Sequence, residues 1–186
     1  MKKIRALLYK TPWKLKKKYF FNWLISIRSL SKYSHIEIWT GETYGVASGQ
    51  VFDLCDGGGN FMMYHGKCWT ATMRGKDDGT VCRNASEVIK HPENWDYIEI
   101  EIENWQYRDL VERMQIQVTL NKGYSKWDIF KFISPIHFPD DDRYICSEFA
   151  NNMLVKIKVI LKLGIVLPST VAKKLTKKGL KIHSLT

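Results

Sequence analysis

Cys146 heads the segment CSEFANNMLVKIKVILKLG (146–164), directly after DDDRYI. The segment reads as a helix, with Ala150, Leu154, Ile157 and Leu161 on one face and Gly164 as its stop. A thiol in the first turn of a helix has its thiolate favoured by the positive end of the macrodipole, and a thiolate is a nucleophile. The backbone N–H of Cys146 is then aimed where an oxyanion would form. Asp140, Asp141 and Asp142 would oppose a thiolate at close range, so they are expected to face solvent or to bind a cationic substrate group. The other reading of Cys146 is a small apolar core residue. More than a hundred residues earlier, SHIEIW (34–39) alternates as a strand, with Ser34, Ile36 and Ile38 on one side and His35, Glu37 and Trp39 on the other. A carboxylate beside a histidine on a rigid strand fixes its tautomer and stabilises its protonated form. A histidine so held suits a cysteine nucleophile, whose proton it would take. A pair on a solvated sheet face would show the same spacing.

These groups need a framework. PWKLKKKYFFNWLISIRSLSK (12–32) reads as a helix with Leu15, Phe20, Trp23, Leu24 and Ile27 near one face. Between 40 and 83, YGVASG, VFDL, NFMMYH, CWTATM and GTVCR are strand candidates, and DGGGN (56–60) is a turn. That turn is no phosphate loop, because neither a Lys-Ser/Thr pair nor a helix follows it. WDYIEIEI (95–102) is a clear alternating strand. NWQYRDLVERMQIQVTLNKG (104–123) reads as a helix capped by Asn104 and stopped by Gly123. SKWDIFKFI begins a short helix, and SPIHFPDDDRY is a loop bounded by prolines. STVAKKLTKKG is a last helix, with Ser169 as cap and Gly179 as stop. A helix, a run of strands and then helices predict one α+β domain.

A chain of 186 residues suits a single domain with a real core. Four scattered cysteines, Cys55, Cys68, Cys82 and Cys146, do not make a disulfide scaffold, which points to a reducing, cytoplasmic setting. No apolar run reaches the roughly 18 residues of a membrane span. The apolar stretch YFFNWLISI lacks the small-residue cleavage site of a signal peptide. The net charge of +10 is unevenly spread. Residues 1–36 carry ten Lys/Arg and no acid, residues 153–186 carry eight Lys and no acid, and the middle is net acidic. The basic ends suit an anionic partner, or they are solvated helix faces that fold over the acidic middle.

YSHIEIW followed much later by YICSEFANNML resembles the permuted papain-like thiol hydrolases, the circularly permuted, YiiX-like branch of the NlpC superfamily found in phages and bacteria. In that branch a strand bearing Ser-His precedes a helix that begins Cys-Ser-Glu. TATMRGKDDGTVCR, the WDYIEI strand and GYSKWDIF extend the likeness, which covers residues 31–172. The resemblance implies an antiparallel sheet or partial barrel packed against helices that include a C-terminal nucleophile helix. It divides the chain into a basic N-terminal helical extension (1–30), a core (31–172) and a basic tail (173–186). It implies Cys146 as nucleophile and His35 as general base. The residue orienting the histidine is Glu37, or a residue of the next strand, where Ser48 is the small polar candidate. Tyr144, Ser34 and Ser147 would line the substrate or oxyanion site, and the insert at 42–66 is longer than the family's compact pattern.

The expected function is therefore a cysteine hydrolase or acyltransferase acting on an amide, isopeptide or ester bond, with no cofactor and no metal. Substrates in view are cell-wall peptides, other amide-linked conjugates and lipid acyl groups. The expected setting is cytoplasmic, membrane-peripheral or phage-delivered. The alternative is a non-catalytic protein of the same fold that associates with an anionic membrane or nucleic acid through its basic ends. No nucleic-acid module is recognisable, so no specific nucleic-acid function is expected. His65, Cys68, Cys55 and Cys82 would have to converge to hold zinc, and no CxxC pair supports that.

Overall fold

The computed structural model describes residues 1–11, 26–27, 30–41, 43–45, 62–72, 78–121, 123, 144–163 and 166–185. The strands are β1 (Lys2–Lys10), β2 (Tyr33–Thr40), β3 (Thr43–Gly45), β4 (Met62–Tyr64), β5 (Lys67–Thr72), β6 (Gly79–Asn84), β7 (Trp95–Ile102) and β8 (Ile182–Ser184). The helices are α1 (Ala85–Val88), α2 (Asn104–Leu120), α3 (Cys146–Lys156) and α4 (Pro168–Thr176). A six-stranded antiparallel sheet runs β6-β5-β2-β1-β7-β8, and β3 and β4 form a separate pair. The architecture is α+β, as the element pattern predicts.

One face of the sheet carries the main core. Ile4, Ala6 and Leu8 of β1, Ile36 and Ile38 of β2, and Ile98, Ile100 and Ile102 of β7 recur every second residue, as a pleated strand requires. Against them pack Leu110 and Met114 of α2, Phe149, Ala150 and Leu154 of α3, and Val171, Ala172 and Leu175 of α4. The other face holds a smaller cluster of Leu7, Trp39, Cys68, Ala85, Ile89, Trp95 and Leu185. Lying between β5 and β1 with apolar groups on both sides, β2 is buried along all eight residues.

The division into extension, core and tail does not hold. The first residues are not helical: KKIRALLYK alternates core and polar side chains and forms β1, inside the sheet and paired with both β2 and β7. Its bases meet the acids of β7, Lys3 with Glu99 at 2.6 Å, Arg5 with Glu99 at 3.0 Å and Lys10 with Asp96 at 3.0 Å. At the other end β8 pairs with β7 and Leu185 is buried, so this segment belongs to the fold as well. The helix expected from Pro12 onward falls mostly outside the described residues, with only Ser26 and Ile27 seen as helical.

Helix boundaries also shift. Glu103 caps α2, with its N–H donating to Gln106 Oε1 at 2.8 Å, and Asn121 in the left-handed region ends it before Gly123. α3 stops at Lys156 rather than Gly164, where Lys158 turns to positive φ within the β-branched run Ile157, Val159, Ile160. α4 starts at Pro168, whose missing N–H costs nothing in a first turn, and the Leu167 N–H donates to Thr170 Oγ1 at 2.8 Å, so Ser169 is not the cap. YGVASG beyond Gly45, VFDL, the glycine turn, SKWDIFKFI and most of the proline loop lie outside the described residues.

Two local features fix the sheet. Gly41 and Gly66 meet where β2 turns away and β5 begins; a Cβ on Gly66 would lie 2.4 Å from the Thr40 carbonyl oxygen, at φ +98°. Gly66→Ala is therefore expected to lower stability by about 2 kcal/mol or more in urea unfolding. At the far end of β2, Asp96 is buried with Lys10 and Lys32 at 3.0 and 2.8 Å and the Tyr33 hydroxyl donating at 2.7 Å. Burial pushes its carboxyl up, but the hydrogen bonds from Lys32, Tyr33 and Lys10 outweigh this and hold it below its ordinary value. Burial, then the bond to Asp96, pushes the Tyr33 phenol well above its ordinary range. A depressed carboxyl stabilises the fold above its unfolded pKa of about 4, and this is lost as pH falls further. A raised phenol stabilises below pH of about 10, and this is lost above it. Urea midpoints should fall at both extremes, and Asp96→Asn should flatten the acid limb relative to pH 7.

Candidate active site

β1 and β2 are in register from Arg5↔Trp39 to Tyr9↔His35, and Lys10 then pairs with Tyr33. Ser34 is thus the extra residue of a bulge. Bulges re-aim neighbouring side chains and are over-represented beside active sites. Tyr33 joins the helix-side core, while His35 emerges on the other face, its ring edge-on to Trp95 with centroids 6.5 Å apart. The Ser34 hydroxyl is buried and has no hydrogen-bond partner among the described residues.

His35 Nε2 lies 3.1 Å from Glu37 Oε1, so the strand brings together the pair expected from alternation. The sheet adds a third member that sequence reasoning missed. From β6, Arg83 Nη2 donates to the same Glu37 oxygen at 2.6 Å. Its signal was the hairpin register, which sets Arg83 opposite Cys68 on the His35 face. His35 and Glu37 are 5 % and 1 % exposed, so a buried imidazole and a buried carboxylate form a chain with a part-buried guanidinium. The carboxylate makes itself felt nearby: burial, then the charge of Glu37, pushes the Cys68 thiol far above its ordinary range. The Nε2–Glu37 contact orients the ring and bears on its tautomer.

Cys146 opens α3 after Ile145, whose extended backbone precedes the helix. The Ile145 N–H donates to Glu148 Oε2 at 3.3 Å, so Glu148 closes the first turn as its position suggests. The thiol is 3 % exposed and packs in the helix-side core with Ile36 and Ile38. His35 faces the smaller cluster through Trp95, and Cys146 belongs to the helix-side core. Paired residues of β2 and β5 run only from Ile38↔Trp69 to Thr40↔Lys67, and beyond them the Thr70 hydroxyl bonds the Ile36 carbonyl oxygen at 3.0 Å.

The remaining expected site residues have other partners. Ser147 Oγ donates to the Val166 carbonyl oxygen at 2.7 Å and ties α3 to the approach of α4. Tyr144 is half-buried, edge-on to Phe149 at 6.3 Å. Ser48 and Cys55 lie outside the described residues. Cys68 and Cys82 point to opposite faces of the β5–β6 hairpin, since Trp69 pairs with Cys82 and Cys68 with Arg83. They do not converge, and no metal-binding group of His, Cys, Asp or Glu is found among the described residues. No helix among the described residues is long and apolar enough to cross a membrane. The chain matches no known protein-family model and no curated protein.

Removing one member of a buried charged chain leaves the others uncompensated. Arg83→Met is expected to cost about 3 kcal/mol in urea unfolding. The Glu37→Gln/Arg83→Met double variant should be more stable than Arg83→Met alone, because the stranded charge is gone.

Proposed function

We propose that the protein is a thiol hydrolase or acyltransferase of the permuted papain-like kind, with Cys146 as nucleophile and His35 as base. The observation that carries this reading is the His35–Glu37–Arg83 chain, placed one residue after a bulge. Burying a carboxylate and an imidazole on a sheet is costly where apolar side chains would pack, and a histidine oriented by a carboxylate is what a thiol needs to lose its proton. The start of α3 supplies the second element, a thiol at a helix N-terminus.

In this mechanism His35 takes the thiol proton, and the thiolate attacks an amide, isopeptide or ester carbonyl. The C–S bond forms, and the oxyanion is met by the Cys146 N–H. Collapse breaks the C–N or C–O bond, and the imidazolium returns the proton to the leaving amine or alcohol. Water, or an acceptor amine, then gives its proton to His35 and releases the acyl group from sulfur. Glu37 orients the ring throughout, and Arg83 keeps Glu37 ionised. The reading requires the thiol to come within hydrogen-bond reach of the His35 ring.

The burial of Cys146 favours a second reading, in which the same scaffold carries the thiol as a core residue. Iodoacetamide labelling of each cysteine against pH, followed by peptide mass spectrometry, separates the two. Burial pushes the Cys68 and Cys82 thiols up, so both should label slowly at neutral pH. A nucleophilic Cys146 should label with an apparent pKa well below about 8.5, and His35→Ala should return it to that value. A Cys146 as inert as Cys68 in the native protein would sink the catalytic assignment.

A further inference from the structure

We propose that the C-terminal ends of α3 and α4 form a docking face for an anionic phospholipid surface. Among the described residues, the bases of the two ends of the sequence are used differently. Lys3, Arg5, Lys10 and Lys32 are used within the sheet, in ion pairs with Glu99 and Asp96. None of the eight lysines after residue 152 makes an ion pair among the described residues, and no acid occurs in that stretch to pair with them.

The fold gathers these lysines. Lys178 Nζ donates to the Val159 carbonyl oxygen, which sets the end of α4 beside the end of α3. Lys156, Lys158 and Lys162 are exposed at and beyond the end of α3. Lys173 and Lys177 are exposed around the last turn of α4, and Lys181 follows the turn. Among them stand two apolar side chains, Leu161 at 72 % exposed and Ile182 at 42 %. A few lysines would suffice to complement two helix C-termini, and this face carries more.

The composition of the face selects its partner. Residues 153–186 contain no Arg, Phe, Tyr or Trp. Nucleic-acid surfaces draw on Arg for bidentate phosphate and base contacts and on aromatic rings for stacking. Lysine ammoniums around exposed aliphatic tips suit a headgroup layer instead, where each charge attracts anionic lipid and each tip enters the acyl boundary. The assignment does not depend on whether Cys146 is a nucleophile, and binding is read without any activity.

The test is co-sedimentation of the full chain with phosphatidylcholine vesicles, with and without about 30 % phosphatidylglycerol, at about 0.15 M salt. Binding is expected only with the anionic lipid. Lys162→Glu/Lys173→Glu/Lys177→Glu should weaken it at least about a hundredfold, at roughly fivefold for each positive charge lost. Leu161→Ser should weaken vesicle binding while leaving any binding to duplex DNA unchanged. All three substitutions are on exposed side chains, and circular dichroism melts check that the fold is kept; the neutral Lys→Gln triple variant serves if the charge reversal unfolds. No binding to anionic vesicles, equal binding by the triple variant, or tighter binding to DNA than to vesicles with Leu161→Ser silent would each overturn the proposal.

Discussion

The Asp96 carboxylate is the interaction on which the sheet depends. It comes from β7, it is buried, and its donors come from the end of β1, the residue before β2 and the first residue of β2. A carboxylate in such a place is tolerable only when its oxygens are fully engaged. Satisfying Asp96 therefore forces Lys10, Lys32 and Tyr33 to one point, and with them the register of three strands. The bulge follows: Tyr33 must reach Asp96 on the helix side while His35 pairs with Tyr9, so Ser34 becomes the extra residue. The aim of the His35 ring is thus set partly by a charge two strands away in the sheet.

The second charged group on the sheet is built differently. Asp96 is surrounded by donors and its charge is overcompensated. Glu37 shares one oxygen between a guanidinium and an imidazole, so the state of the histidine is tied to the carboxylate it leans on. Arg83 reaches this oxygen from β6, two strands from β2 in the sheet, and so couples the hairpin β5–β6 to the candidate site.

Elements with a strong period were legible in the sequence. WDYIEIEI is β7 residue for residue, SHIEIW lies within β2, and the long amphipathic segment after Glu103 is α2. The His35–Glu37 pair was legible for the same reason, because a period of two leaves the neighbours of a strand residue no freedom. β1 was missed because its bases masked the alternation of Ile4, Ala6 and Leu8, and because the ion pairs that tolerate those bases come from β7, about ninety residues on. Arg83 was missed because only cross-strand register brings it to Glu37. The early end of α3 reflects Lys158 in the left-handed region, where an apolar period continues without a helix to carry it.

β7 lies between the first and the last strands of the sheet. A ribosome releases β1 and β2 early, and they can pair as a local unit, yet one edge of β1 stays open until β7 emerges. β7 in turn keeps an unpaired edge until Ile182–Ser184 follows. Contacts so distant along the chain are slow to form, and an unpaired edge is a template for another chain. The nascent chain thus grows by about ninety residues after β1 before the middle of its future sheet is covered. The lysines of β1, which need no partner while exposed to water, keep that edge soluble before they become the ion pairs of the finished fold.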